Sequence, residues 1–363
     1  MDGYALRAVD TAGASNGSPV RLAVVGELPA GRAPTVAVGP GQAIRIMTGA
    51  PVPDGADAVV MVERTEAEGD SVLVHQEARV GDHVREAGGD VRPGDLVLPA
   101  STVLGPAHLG VLASLGRVEV LARPRARVGV LSTGDELVEG AAPLAPGQIR
   151  DSNRPMLLAL VAEAGCEPVD LGTARDDQAL ITSVLERALD SCDAVLTSGG
   201  VSVGDYDFVK AALDHLAGEV GRGGTFRWSQ VAIKPAKPLA FGVIGGVPVF
   251  GLPGNPVSSL VSFELFARPA LLQAMGHPHR FRPEVPAVAG APLPRRRDGK
   301  LHLDRVRLHV EDGRFVADPV RAQASNALAA TAAANGLALV PDGEGVEAGE
   351  AVRVLRLDVP ADH

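Results

Sequence analysis

Cysteine is scarce in this sequence of 363 residues, which contains only Cys166 and Cys192. The two lack the spacing of metal ligands and have no further cysteines around them, so a zinc module and a disulfide scaffold are both excluded. Small secreted domains often depend on several disulfides, whereas thiols stay reduced in the cytoplasm. We therefore expect two buried, reduced thiols in a cytoplasmic protein.

Aromatic residues are few, and the chain has no excess of basic residues. Phe, Trp and Tyr make up 3% of the chain, and the formal net charge is −10 at pH 7. Without a continuous lysine or arginine stripe, the chain cannot displace the counterions of a nucleic acid, so general nucleic-acid binding is excluded. No apolar run approaches the roughly 20 residues of a membrane span, and no signal peptide is recognisable. Any anionic ligand must be held by a few local contacts.

The length of the chain predicts two to four domains, at roughly 100–200 residues each. Gly and Pro interrupt short apolar runs between residues 20 and 85, a pattern typical of a small β-domain. We expect this domain to be inserted into a discontinuous first domain made of residues 1–19 and 86–124. Within the latter, "RPGDLVLPAST" predicts a turn and a strand, and "GPAHLGVLASLG" predicts a helix that begins near Pro106.

Strand and helix patterns alternate between residues 125 and 276, which predicts a doubly wound α/β domain. Ligands of such domains bind beyond the carboxyl ends of the parallel strands. Residues 277–363 return to strand patterns, and "EDG" at 311–313 is typical of a hairpin turn. The predicted fold class is therefore α/β plus all-β domains, with a C-terminal β-domain.

The segment "STGDEL" directly follows a predicted buried strand of the α/β domain. Gly134 allows a tight turn, and Asp135 and Glu136 place two carboxylates at the end of the strand. Mg²⁺ is usually bound by one or two carboxylates together with substrate phosphates and water. The alternative is that the acids only complement the dipole of a following helix.

A second segment, "SGGVSVGDYD", follows another predicted strand and combines permissive backbone, hydroxyls and acids. Its glycines can expose successive N–H groups to an anion, and the positive end of the following helix favours a phosphate at the same place. A capping role explains one acid but not the whole set, so we expect a binding site. The residues concerned are Ser198, Gly199, Gly200, Ser202, Asp205 and Asp207.

Two further strand-end segments carry polar groups. "KPAKP" holds Lys234 and Lys237 in an extended chain, where each is a compact charge suited to an oxyanion. "LPGNP" contains Asn255 and Pro256 at the predicted start of a helix. Asn255 can cap that helix, and its amide can also contact a ligand.

Seven motifs, spread in order over nearly the whole chain, resemble those of molybdopterin molybdenumtransferases, the family that includes the E-domain of gephyrin. They are "MDGYA", "RIMTGAPVPDGADAVVMVE", "GDHVREAGGD", "VLSTGDEL", "SGGVSVGDYD", "IKPAKP" and "LPGNPVSSLVSFELFARP". The resemblance implies an elongated homodimer whose subunits have four domains. It also implies several tens of residues, largely helical, ahead of "MDGYA", so we expect part of the first domain to be missing here.

The resemblance further implies an activity. Members of this family insert molybdate into adenylylated molybdopterin with Mg²⁺, release AMP, and pass molybdenum cofactor on to molybdoenzymes. The implied catalytic residues are Asp135, Glu136, Asp176, Asp207, Lys234 and Lys237, of which Asp135, Glu136 and Asp207 are the predicted metal ligands. The implied substrate-binding residues add Asp2 and Thr48 of a partner subunit, and Arg305 and Ser325 of the C-terminal domain, to Ser198, Gly199, Gly200, Ser202, Asn255 and Pro256.

Two other functions remain open at this point. Molybdopterin adenylyltransferases share the α/β domain and would need that domain alone. A non-catalytic scaffold is the second alternative. The sequence also departs from the family at Ala236, where the "KPAKP" loop usually has glycine.

Overall fold

The computed structural model describes residues 1–200, 208–218 and 223–358. The chain divides into two compact units, Met1–Val97 and Leu98–His363. Ser202, Asp205 and Asp207 lie outside the described residues. No helix in the described part of the chain is both long and apolar enough to cross a membrane.

Unit 1 is built around a mixed β-sheet. Its strands are β1 (Gly3–Leu6), β2 (Val20–Leu28), β3 (Gln42–Ile46), β4 (Ala58–Met61), β5 (Thr65–Glu68) and β6 (Ser71–Val74), in the order β4-β1-β3-β2-β6-β5. Short 3₁₀ turns occur at Ala8–Thr11 and Val62–Arg64. Because β1 pairs with both β3 and β4, residues near the start of the chain share one sheet with the predicted small β-domain. The predicted domain boundaries stay a prediction.

The segment after unit 1 differs from the prediction. No strand forms in "RPGDLVLPAST", where Leu96 is 79% exposed, so that prediction is wrong. A short apolar segment bounded by Pro and Gly forms a strand only if another strand pairs with it. In the described part of the chain, no strand pairs with this segment. Helix α1 (Pro106–Ser114) begins at Pro106, as predicted.

The α/β domain follows the predicted alternation closely. Its strands are β7 (Arg127–Thr133), β8 (Leu137–Val138), β9 (Ile149–Arg150), β10 (Glu167–Ala174), β11 (Ala194–Ser198), β12 (Gly224–Gln230), β13 (Ile233–Lys234), β14 (Pro238–Ile244) and β15 (Val247–Leu252). Its helices are α2 (Asn153–Glu163), α3 (Gln178–Ser191), α4 (Phe208–Gly218), α5 (Pro256–Ser262), a π-helical turn (Phe263–Ala267) and α6 (Arg268–Ala274).

The main sheet of this domain has the order β10-β7-β11-β15-β14-β12. The strands from β10 to β15 pair in parallel, whereas β14 and β12 are antiparallel to their neighbours. Helices cover both faces. Leu157 of α2 and Phe263 pack on one side, and Leu185 of α3 and Leu213 of α4 pack on the other, all fully buried. The sheet is therefore doubly wound, as predicted.

The C-terminal domain is a β-structure. It consists of β16 (Glu284–Ala289), β17 (Leu293–Pro294), β18 (Leu301–Glu311), β19 (Arg314–Pro319), α7 (Leu328–Thr331), β20 (Gly336–Val340), β21 (Gly345–Val346) and β22 (Ala351–Arg356). The predicted hairpin joins β18 and β19, where Asp312 and Gly313 both have positive φ, as a tight hairpin turn requires. Strand β13 pairs with β18, so this sheet continues into the α/β domain.

Candidate active site

The predicted motifs meet at one edge of the doubly wound sheet. The parallel strands β10, β7, β11 and β15 have their carboxyl ends at this edge, and the antiparallel strand β14 begins there. The turns that follow the first four strands, and the lysine segment that precedes β14, therefore line the same edge. This is where ligands of doubly wound domains bind.

Backbone hydrogen bonds hold neighbouring turns together. Gly134 N donates to Ala174 O at 3.2 Å, and Gly199 N donates to Leu252 O at 3.1 Å. Gly199 has a φ of +97°, and a Cβ at this position would come within 2.9 Å of the carbonyl oxygen of Thr133. Only glycine fits between these strands, which explains the glycine that follows Ser198 in the motif.

Three carboxylates come together at the ends of β7 and β10. Asp176 N donates to Asp135 Oδ1 at 3.2 Å, and a Cβ at Gly134 would meet Glu136 Oε2 at 2.5 Å, so both acids fold toward the same turn. Burial raises the pKa of Asp176. A hydrogen bond from Asp135 opposes this effect, while the charges of Asp135 and Glu136 raise the Asp176 pKa further. Asp176 therefore lies close enough to Asp135 and Glu136 to be affected by their charges.

These carboxylates fit Mg²⁺ as a partial ligand set. Among the described residues, no group of three or more His, Cys, Asp or Glu side chains is arranged as a ready metal site. Mg²⁺ does not need one, because it usually takes one or two carboxylates together with substrate phosphates and water. The carboxylate oxygens lie at an exposed strand end, and hard oxygens of this kind are the donors that Mg²⁺ prefers.

The lysine segment lies between the α/β and C-terminal domains. Lys234 and Lys237 are both exposed, while Ala236 between them is 3% exposed and packs in a cluster with Val257 of α5 and Leu303 of β18. Ala236 has a φ of +77°, in the left-handed region that favours glycine. The alanine therefore adopts a conformation that glycine takes without steric strain.

Arg305 and Ser325 are joined to the start of α5 through the backbone. Arg305 is 1% exposed, and its guanidinium donates to the carbonyls of Ala322 and Ala324 at 2.9 and 3.1 Å. Val257 N in turn donates to Ser325 O at 3.1 Å. Arg305 thus fixes the segment that contacts the first turn of α5, and burial lowers the pKa of Arg305.

Asn255 occupies the cap position of α5, but its side chain makes no capping hydrogen bond. The predicted side-chain cap is therefore absent. Asn255 is exposed, so its amide is accessible to a ligand.

Asp2 and Thr48 lie together in unit 1. Asp2 Oδ1 accepts hydrogen bonds from both Thr48 N and Thr48 Oγ1, each at 2.8 Å. These bonds lower the pKa of the Asp2 carboxyl. The structure thus pairs two residues that the sequence separates by more than forty positions.

Sequence reasoning missed the segment "DSNRP" at the start of α2. Asp151, whose side chain is 2% exposed, accepts hydrogen bonds from Ser132 Oγ and Thr173 Oγ1, each at 3.2 Å, and also pairs with Arg154. Asn153 bonds to Ser198 and Gly254. The available signal is the cluster of Asp, Ser and Asn at the start of a helix, where such residues are favoured.

Family models match three consecutive parts of the chain. Residues 129–273 match "Probable molybdopterin binding domain", residues 1–116 match "MoeA N-terminal region (domain I and II)", and residues 287–357 match "MoeA C-terminal region (domain IV)". The class defined by fold and site is thus a molybdopterin-binding α/β domain flanked by β-domains.

Relatives of known name extend over nearly the whole chain. "Molybdopterin molybdenumtransferase 2" of Mycobacterium tuberculosis is 45% identical over 345 residues, which are 94% of this chain and 84% of the relative. "Molybdopterin molybdenumtransferase" of Bacillus subtilis is 35% identical over 361 residues, or 98% and 82% of the two chains. A crystal structure of a molybdopterin biosynthesis MoeA protein from Pyrococcus horikoshii matches with a TM-score of 0.77 and 34% identity, covering 99% of this chain and 87% of that one. The chain belongs to the MoeA family of molybdopterin molybdenumtransferases.

Proposed function

We propose that this protein inserts molybdate into adenylylated molybdopterin, releasing AMP and forming molybdenum cofactor. The observation that carries the proposal is the meeting of acidic, glycine-rich and lysine turns at one edge of the doubly wound sheet. Matches to the N-terminal and C-terminal family regions favour this reaction over adenylylation, for which the α/β domain alone would suffice.

The proposed ligand is an anion, and the protein has a formal net charge of −10. Binding therefore requires cations and N–H groups where the diphosphate lies. The Gly199 N–H is engaged by Leu252 O, so Gly199 contributes its close backbone approach rather than a donor. We assign the N–H group of Gly200, the hydroxyls of Ser198 and Ser202, and the amide of Asn255 to this contact. Fixed donors of this kind stabilise developing charge without having to reorganise during the reaction.

Asp135 and Glu136 would hold Mg²⁺ on the phosphoanhydride, together with Asp207, which lies outside the described residues. When bound, Mg²⁺ supplies charge neutralisation and polarises the phosphoryl oxygens. Asp176 keeps the Asp135 carboxylate in place through its backbone N–H. Lys234 and Lys237 bind molybdate near the dithiolene of the pterin, and the remaining contribution of the chain is positioning.

We further propose that the protein works as a homodimer in the cytoplasm. Asp2 and Thr48 would then complete the site of a second copy. Their hydrogen bonds hold the Asp2 carboxylate and the Thr48 hydroxyl in a fixed arrangement. Both cysteines are free and buried, which suits a reducing compartment. The product would pass to molybdoenzymes.

A direct assay tests the proposed function. Purified protein is mixed with adenylylated molybdopterin, molybdate and Mg²⁺, and AMP and molybdenum cofactor are quantified. We expect equal amounts of both products, and loss of both when EDTA removes Mg²⁺. ATP consumption with free molybdopterin would instead identify an adenylyltransferase, and absence of ligand binding in calorimetry would favour a scaffold.

A further inference from the structure

Asn153 connects two of the turns at the sheet edge. Its Nδ2 donates one hydrogen to Ser198 Oγ, at 2.7 Å, and the other to Gly254 O, at 2.6 Å. Ser198 is the last residue of β11, and Gly254 follows β15. A single side chain from the first turn of α2 therefore sets the spacing between these two turns.

The bond to Ser198 also determines what the serine can do. Because Ser198 Oγ accepts the amide hydrogen, its own hydroxyl hydrogen remains to be donated. The described residues provide no acceptor for that hydrogen. A ligand phosphate at this edge offers an oxygen of matching chemistry.

The position of Asn153 is fixed, although it leaves one buried side-chain oxygen without a hydrogen bond to the part of the chain that the structure describes. Asp151 Oδ1 accepts from Asn153 N at 3.1 Å, and the Asn153 side chain is largely enclosed, with the residue 8% exposed. Its Oδ1 is buried without a hydrogen-bond partner among the described residues. An unpaired buried acceptor is unfavourable and requires an explanation. The explanation here is that both amide hydrogens are needed to bind Ser198 Oγ and Gly254 O, an orientation that leaves Oδ1 unpaired within the described chain.

We propose that Asn153 is a positioning residue for the transfer reaction, an inference that rests on the proposed function. It keeps the Ser198 hydroxyl oriented as a donor to the diphosphate of adenylylated molybdopterin, and it fixes the Gly254 carbonyl next to that hydroxyl. Asn153 acts through these two groups and does not contact the reacting atoms.

The test compares Asn153→Ala with a matched control, Asn335→Ala. The Asn335 side chain also makes two backbone bonds, to Leu308 O at 2.9 Å and from Leu308 N at 2.6 Å, within the C-terminal domain. Both substitutions should lower the melting temperature. Only Asn153→Ala should raise the KM and the calorimetric Kd for adenylylated molybdopterin, by about tenfold, with a smaller change in kcat.

A double-mutant cycle shows whether Asn153 acts through Ser198. In a Ser198→Ala background, Asn153→Ala should weaken ligand binding further by less than about twofold. If Asn153→Ala does not fold, the isosteric Asn153→Asp replaces it. A carboxylate cannot donate to Gly254 O, and it draws the Ser198 hydrogen toward itself, so the KM should again rise.

A wild-type KM in Asn153→Ala or Asn153→Asp, or full additivity with Ser198→Ala, would overturn the inference. Failure of the wild-type protein to release AMP contradicts the proposed function instead. The two failures are distinguishable because the first requires an active wild-type enzyme.

Discussion

Glu136 lies with Asp135 and Asp176 at the ends of β7 and β10. At the level of single residues, the sequence singles out Asp135 and Glu136 because they directly follow a buried strand, whereas Asp176 is implied only by the family resemblance. It could not identify Asn153 or the pairing of Asp2 with Thr48, because both depend on contacts between residues that are 45 or more positions apart. The burial of Arg305 was equally hidden, since a strand pattern does not show which charged side chain turns inward.

Replacement of the proposed metal ligands should lower cofactor formation without lowering the stability of the fold. Glu136→Gln keeps the volume of an exposed side chain, so the melting temperature should stay unchanged, while cofactor formation falls by roughly 10²–10³ because a ligand for Mg²⁺ is lost. Asp207→Asn should lower cofactor formation by a similar factor. Glu186→Gln, on α3 of the same domain, is the control and should be fully active; near-wild-type turnover in both site variants would refute the metal-ligand assignment.

Lys234 should influence molybdate more than the pterin. Lys234→Ala removes one exposed positive charge, and we expect the molybdate concentration at half-maximal rate to rise about tenfold, with a smaller change in pterin Kd. Steady-state assays with varied molybdate measure this. Lys300→Ala removes a lysine paired with Asp298 at 3.4 Å and should leave the molybdate dependence unchanged. An unaltered molybdate curve for Lys234→Ala rules out the assigned role.

At the level of helices and strands, periodicity and strand-end punctuation predicted most of the α/β domain correctly. The signals that define these elements are local in the sequence, because Gly or Pro residues bound each apolar strand segment. The sequence failed at "RPGDLVLPAST", where strand formation depends on a distant partner. It also gave no sign that β13 pairs with β18, because two residues are too few for a pattern.

Arg305 offers a test at the level of one strand. Arg305→Met removes the donor to Ala322 O and Ala324 O. Ala324 O still accepts from Ala327 N, so one carbonyl, that of Ala322, loses its partner and stability should fall by about 2 kcal/mol. Urea denaturation measures the loss. Arg307→Met, at an exposed position of the same strand, should stay within about 0.5 kcal/mol of wild type. Equal effects of the two substitutions would contradict a supporting role for Arg305.

At the level of the whole molecule, the α/β and C-terminal domains share a hydrophobic cluster that includes Ile233, Val261, Leu303 and Leu337. Together with the pairing of β13 and β18, this predicts that residues 98–363 unfold in one cooperative transition. Fluorescence of Trp228, the single tryptophan, reports on the α/β domain. Its urea midpoint should match the loss of hydrogen-exchange protection in β20; two separate midpoints would show independent domains.

The pairing of β13 with the C-terminal sheet limits how the lysine segment can vary in length. Most surface turns tolerate insertions and deletions. Here Ile233 is registered opposite Leu301 on one side, and Pro238 opposite Gln230 on the other. One added residue would either shift a strand register, which turns its side chains to the opposite face, or push a lysine out of reach of the sheet edge. Related sequences should therefore conserve the number of residues between β13 and β14 more strictly than the identities of those residues.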